Sequence, residues 1–262
     1  SPFRTCFSYR KKIIFSKYAL VNMSSSQKTV AIIPARYSST RFPGKPLVEI
    51  AGKPMIQHVW ERAKQTPSID QILVATDDER ILDTVRNFGG DGVLTSTEHE
   101  TGTVRIVEVV QEISCGLVLN IQGDEPTILP ADLERLIKQT KIRKGTKAAT
   151  LIYNITDKTQ FNDPNIVKVT VNVNNIALYF SRSLIPYPRS GQSTQCKIWR
   201  HLGVYLFQRE FLMEYSQWPR SNLERSEQLE QLRILENGES LLCVEAENEG
   251  VGVDVPQDLV YV

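Results

Sequence analysis

The sequence predicts an α/β fold, a mostly parallel mixed sheet flanked by helices, with a smaller antiparallel addition. Three observations carry that prediction. From residue 30 to about 148, short apolar runs alternate with amphipathic helical stretches, the rhythm of right-handed crossovers in a parallel sheet. After about residue 148 the runs acquire period-2 character with little helix between them. Three polar segments follow apolar runs, where a wound sheet gathers its ligands.

The elements follow in order. VAII (30–33) is a short apolar strand leading into a loop rich in Ser, Pro and Gly. KPMIQHVWERAKQ (53–65) puts Met55, Ile56, Val59, Trp60 and Ala63 on one helical face, with Pro54 suited to the first turn. QILVATDD (71–78) reads as a buried strand whose end offers Thr76 and Asp77 as caps for the next helix, which Gly89 stops. GLVLNIQGDEP (116–126) is a strand running into a polar turn, and PADLERLIKQT (130–140) is a helix. AATLIYNI, VKVTVNV, IALYFSR and HLGVYLF are the later strands, a patch over about 165–215 suited to dimerisation or substrate contact. LERSEQLEQLRILENG (223–238) reads as one helix with an apolar seam at Leu229, Leu232 and Leu235, and LLCVEA (241–246) as the last strand.

Composition excludes several classes. The chain has 262 residues, 41% hydrophobic and 23% charged, with net charge +1, so neither a nucleic-acid nor a membrane partner is expected. No run approaches the ~20 apolar residues of a membrane helix. Cys6, Cys115, Cys196 and Cys243 form no CxxC pair, which fits a reducing compartment and points to the cytoplasm.

Charge is unevenly spread. Arg4, Arg10, Lys11, Lys12, Lys17, Lys28, Arg36, Arg41 and Lys45 all precede the first acidic residue, Glu49. Residues 1–28 read as an N-terminal extension without order of its own, and 29–262 as the functional domain. Residues 1–22 resemble a transit segment, which would make the protein organellar, or sequence upstream of a start at Met23.

The chemistry-bearing segments are the three polar ones. PARYSSTRFPGKPL (34–47) offers Arg36, Arg41 and Lys45 with hydroxyls at Ser38, Ser39 and Thr40, fitting a triphosphate; the alternative is a solvated basic loop. It contains neither a GxxxxGK[ST] nor a GxGxxG pattern. NIQGDEP (120–126) sets Asp124 just past a strand, suited to Mg²⁺, or merely to a turn. GVGVDVPQDL (250–259) sets Asp254 before Pro256, as a second metal ligand or as a helix cap. Two aspartates facing an acid-free basic loop suit metal-assisted attack on a nucleotide α-phosphate.

These motifs, with GKPMIQHVWERA, VATDDERI, the TGTxR run at 101–105, ALYFSRSLIPY, HLGVYLF and LEQLRILENG, resemble in order and spacing the 3-deoxy-manno-octulosonate (Kdo) cytidylyltransferase family over about residues 29–260. The resemblance implies a Rossmann-like nucleotidyltransferase fold and a homodimer built through the antiparallel lobe. It implies the reaction of CTP with Kdo to CMP-Kdo and pyrophosphate, with another acidic sugar or an inactive nucleotide-binding homologue as alternatives. By motif position it implies Arg36, Lys45, Asp124 and Asp254 as the catalytic set, with Mg²⁺ on the two aspartates. Pro34, Ala35, Arg36, Ser39, Lys45, Ala75, Thr76, Thr103 and Arg105 would bind the nucleotide. Gln122, Arg182, His201, Tyr205, Glu230 and Gln231 would line the sugar pocket. One departure stands out: Val104 occupies a position where the family carries an acid, which is expected to loosen Arg105. The chain also ends at Val262, so the helix expected from Pro256 is short.

Overall fold

The computed structural model describes residues 13–14, 28–38, 42–99, 101–189 and 196–262. Ser39, Thr40 and Arg41 of the basic loop lie outside them, as do most of residues 1–28.

The chain runs β1 (Ile13–Ile14), β2 (Thr29–Ala35), the small antiparallel pair β3 (Glu49–Ile50) and β4 (Lys53–Pro54), α1 (Met55–Lys64), β5 (Gln71–Thr76), α2 (Glu79–Asn87) and β6 (Asp91–Leu94). Then come α3 (Gly102–Gln111), β7 (Leu117–Asn120), α4 (Pro130–Ile142), β8 (Ala148–Ile155), β9 (Lys168–Val171), β10 (Ala177–Ser181) and β11 (Ile198–Gln208). The remainder is α5 (Arg209–Tyr215), α6 (Asn222–Glu227), α7 (Leu232–Glu236) and β12 (Leu242–Glu245).

The main sheet has the order β1-β6-β5-β2-β7-β11-β8-β12. β6, β5, β2 and β7 are parallel neighbours, as are β8 and β12, while β11 enters antiparallel between β7 and β8. β2 is buried at every position, as a central strand covered on both faces must be. Its Ala31, Ile33 and Ala35 join a core with α1, α2 and α4, whereas Val30 and Ile32 join a second core with α3, α5 and α7. Among the described residues no helix is long and apolar enough to cross a membrane.

The fold class is as the alternation predicts, and α1 buries the five residues expected. The antiparallel strands are joined to the main sheet: β9 pairs with the first half of β11, and β10 hangs from β9. Three details differ from expectation. The side chain capping α2 is Asp78, whose carboxylate accepts from the Arg80 N–H; Thr76 supports the turn by accepting from Asp78 N, and Asp77 is left for another partner. The expected helix over 223–238 is two short helices, because Gln228 turns left-handed at φ 54 and swings Glu230 and Gln231 inward. Beyond Pro256 the chain forms a 3-10 turn, Pro256–Tyr261, not an α-helix.

Candidate active site

The strand ends of β2, β5 and β7 open onto a cavity of about 340 Å³ lined by Pro34, Ala35, Arg36, Lys45, Arg105, Gln122, Asp124 and Asp254, with Ser38, Gly102 and Gly123. Gly123 is there because a Cβ would sit 2.9 Å from the Pro34 carbonyl oxygen, too close for any side chain. Gly44, at φ 71, donates its N–H to the Tyr37 carbonyl at 2.9 Å and closes the basic loop so that Lys45 returns to the strand ends.

Lys45 is the hub. Its ammonium donates to Asp124 Oδ2 at 2.6 Å and to the Val253 carbonyl at 2.8 Å, and lies 3.6 Å from Asp254 Oδ1. Asp124 and Asp254, distant in the chain, therefore reach one cation. The backbone explains how. Val253 N–H donates to the Asp124 carbonyl at 2.9 Å, and Val251 N–H to Thr127 Oγ1 at 2.6 Å, stitching the Gly-Val turn onto the turn after β7. Asp258 accepts from the N–H of Asp254 and of Val255, which fixes the second aspartate's backbone. Beneath Gly250 and Gly252 lies Glu125, whose carboxyl is pushed up to about 7 by burial and then by Asp124.

Arg105 is 2% exposed, yet its charge is met by Asp77 Oδ2 at 2.7 Å, by Thr95 Oγ1 and by the Ser96 carbonyl at 3.3 Å. Val104, 42% exposed, points away. The loosening expected from Val104 does not occur, because the counter-charge comes from β5's end. Ala75 and Thr76 are fully buried. Thr103 turns from the cavity to donate to Glu230 Oε1 at 2.6 Å.

A second group adjoins on the α3 side of the sheet. Tyr205 donates to Gln231 Oε1 at 3.1 Å, and the Tyr215 hydroxyl to the Glu230 carbonyl at 3.0 Å. Burial raises the Glu230 carboxyl. His201 sits between Phe180 and Tyr205, with Nε2 2.9 Å from Thr150 Oγ1. The Thr150 proton goes to the Val204 carbonyl at 2.7 Å, so His201 Nε2 is the donor and Nδ1 the open acceptor. Burial, then Arg200, pushes His201 down to about 3, keeping it neutral.

Arg182 commits three of its five N–H groups to the backbone. Its Nε donates to the Glu227 carbonyl at 2.8 Å and its two terminal nitrogens reach the Pro164 and Gln228 carbonyls at 2.9 and 3.5 Å. Beside it, the fully buried Lys168 ammonium donates to the carbonyls of Asp163, Ile166 and Arg182. The two cations thus pin the loops around Gln228, which sets Glu230 and Gln231. The sequence offers Asp77 only as a helix cap and Glu125 only as part of the polar turn after β7, and it carries no signal for the Val253 carbonyl.

The arrangement holds Arg36 and Lys45 beside two carboxylates, with a hydrogen-bonding group around Tyr205, Glu230 and Gln231 alongside. Comparison with known proteins gives it a family. A profile of the family described as Cytidylyltransferase matches residues 30–241. A 3-deoxy-manno-octulosonate cytidylyltransferase of Trichlorobacter lovleyi is 46% identical over 239 residues, spanning 88% of this chain and 95% of that protein. The chain belongs to the 3-deoxy-manno-octulosonate cytidylyltransferase family. A family member from Escherichia coli is 45% identical over 229 residues, 87% of this chain and 92% of its own. Among solved structures, a CMP:2-keto-3-deoxy-manno-octonic acid synthetase complexed with CTP superposes with TM-score 0.85 at 44% identity, covering 89% of this chain and 96% of that one. A 4-diphosphocytidyl-2C-methyl-D-erythritol synthase from Anaerococcus prevotii, TM-score 0.60 at 17% identity over 90% of this chain and 95% of its own, shares the fold.

Proposed function

We propose that the chain transfers CMP from CTP to Kdo, with release of pyrophosphate, acting as a homodimer in the cytoplasm. The observation that carries this is the convergence of Asp124 and Asp254 on the Lys45 ammonium at the strand ends. Arg36 and Lys45 neutralise the triphosphate and then the departing pyrophosphate, with the Ser39 hydroxyl as a neutral hydrogen-bond donor to it. Fixed cations of this kind stabilise charge as it builds and need no rearrangement when it does.

Asp124 and Asp254 fit Mg²⁺: two hard carboxylates side by side, with phosphate oxygens and water to complete the shell. Among the described residues there is no group of three or more His, Cys, Asp or Glu that could hold a metal alone, so two carboxylates would leave the rest of the shell to phosphate oxygens and water. When bound there, Mg²⁺ supplies polarisation of the α-phosphate. The Kdo anomeric hydroxyl attacks the α-phosphorus in line as the bond to pyrophosphate breaks. Arg105 borders the nucleotide side, and Gln122, His201 and Glu230 offer the sugar both donors and acceptors. Exposed Leu178 on the edge strand β10 and Val173 in the turn before it support a partner copy on that face.

The test is pyrophosphate release with each component withheld in turn. Release is expected only with CTP, Kdo and Mg²⁺ together. Equal release without Kdo, or with no acidic sugar accepted, would refute the reading.

A further inference from the structure

Two buried amide groups, one bonded to the cavity residue Gln122 and the other to Tyr205, are left half used by the protein. Asn120 ends β7 with no exposed surface, and Gln231 is 3% exposed. Among the described residues, neither Asn120 Nδ2 nor Gln231 Nε2 has an acceptor. Buried donors without partners are uncommon in folded proteins and call for a ligand or an ordered water.

The surroundings narrow the choice. Asn120 stands directly opposite Tyr205 in the antiparallel β7–β11 pair, so both side chains leave the same sheet face. Gln122 Nε2 donates to Asn120 Oδ1 at 3.1 Å, and Tyr205 donates to Gln231 Oε1 at 3.1 Å. Each amide oxygen is therefore occupied, and each NH₂ is the end left over. Gln122, His201 and Glu230 keep partial exposure. Glu230, the chain neighbour of Gln231 and already accepting from Thr103, brings a carboxylate to the same group.

Two donors beside an acceptor suit a hydroxyl, which can receive from an amide and give to a carboxylate. They do not suit a carboxylate group, which only accepts and would face Glu230. We propose that Asn120, with Gln231, is a further acceptor-binding and specificity-determining residue, whose NH₂ holds hydroxyls of the acceptor's polyol portion. The inference deepens the sugar-acid transfer proposed above and rests on it.

The test is steady-state pyrophosphate release by Asn120→Asp, which replaces the NH₂ by an acceptor at nearly constant volume. The KM for Kdo should rise by about tenfold or more, the scale of a lost hydrogen bond to a buried partner, while that for CTP moves by less than about twofold. Asn120→Ala is the second variant, should the buried acid prevent folding, and the same split is expected. Singly deoxygenated Kdo analogues add a reading that a structural role cannot give. One of them should be penalised with the wild type and not with Asn120→Ala. A Kdo KM within about twofold of wild type in a folded variant would overturn the proposal and leave a buried water as the partner. Equal penalties on all analogues, or a CTP KM that rises in step, would overturn it as well. Wild-type protein inactive with Kdo would instead refute the parent reaction. The subsite is then read by ligand-observed NMR with Kdo alone: binding lost in Asn120→Ala supports it, and unchanged or absent binding overturns it.

Discussion

Lys45→Met removes the ammonium and keeps most of the aliphatic stem. In the structure that ammonium is 2.6 Å from Asp124 and 3.6 Å from Asp254, on a side chain 12% exposed. Two unit charges about 4 Å apart attract by about 4 kcal/mol at an effective dielectric of ~20. Asp254 is half exposed and its share is screened, so the net structural loss is on the order of 1 kcal/mol. For a chain of this size that lowers Tm by about 2–4 °C. The catalytic loss is larger, because one preorganised donor to developing charge is worth about 2.7–4 kcal/mol, or about 10²–10³ in rate. The assay is initial-rate pyrophosphate release at subsaturating CTP, with a thermal melt on the same samples. A kcat/KM within about fivefold of wild type in folded Lys45→Met would refute the role of this cation, since even 1.4 kcal/mol is tenfold.

Two further outcomes follow from the buried charges. Asp77→Ala leaves the Arg105 charge buried without its carboxylate and should cost about 3–5 kcal/mol in chemical denaturation, whereas Val104→Asp should change both stability and activity little; the reverse ranking would show that Arg105 depends on position 104. His201 is held at about 3 when folded, against an ordinary value of 6.5, so between those pH values the unfolded chain binds the extra proton and stability falls as pH falls. Denaturation at pH 5 and pH 7.5 should show that loss, and His201→Gln should reduce it by on the order of 1 kcal/mol; an unchanged pH slope in the variant would contradict the neutral, buried imidazole.

The sheet was legible because its evidence is periodic and local. VAII, QILVAT and GLVLN are apolar runs with polar ends, and each became a central strand. The helix at 223–238 was misread because its apolar spacing is helical throughout. What breaks it is distant: Arg182 draws on the Glu227 and Gln228 carbonyls from another part of the chain. The catalytic candidates stood out as charged residues after strands, and Lys45, Asp124 and Asp254 do meet. For Arg182, sequence shows a fork of donors and not the backbone carbonyls that three of them meet. Val104 misled for a related reason: Arg105 takes its counter-charge from Asp77, across the site and not next to it.

The most direct test of the site is Mn²⁺ binding followed by electron paramagnetic resonance, with CTP present, in wild type, Asp124→Asn and Asp254→Asn. If the two carboxylates share one cation beside Lys45, each substitution alone should weaken Mn²⁺ by about tenfold or more, the usual scale for disturbing a metal's ligand set. Wild-type affinity in either variant would contradict a shared metal site.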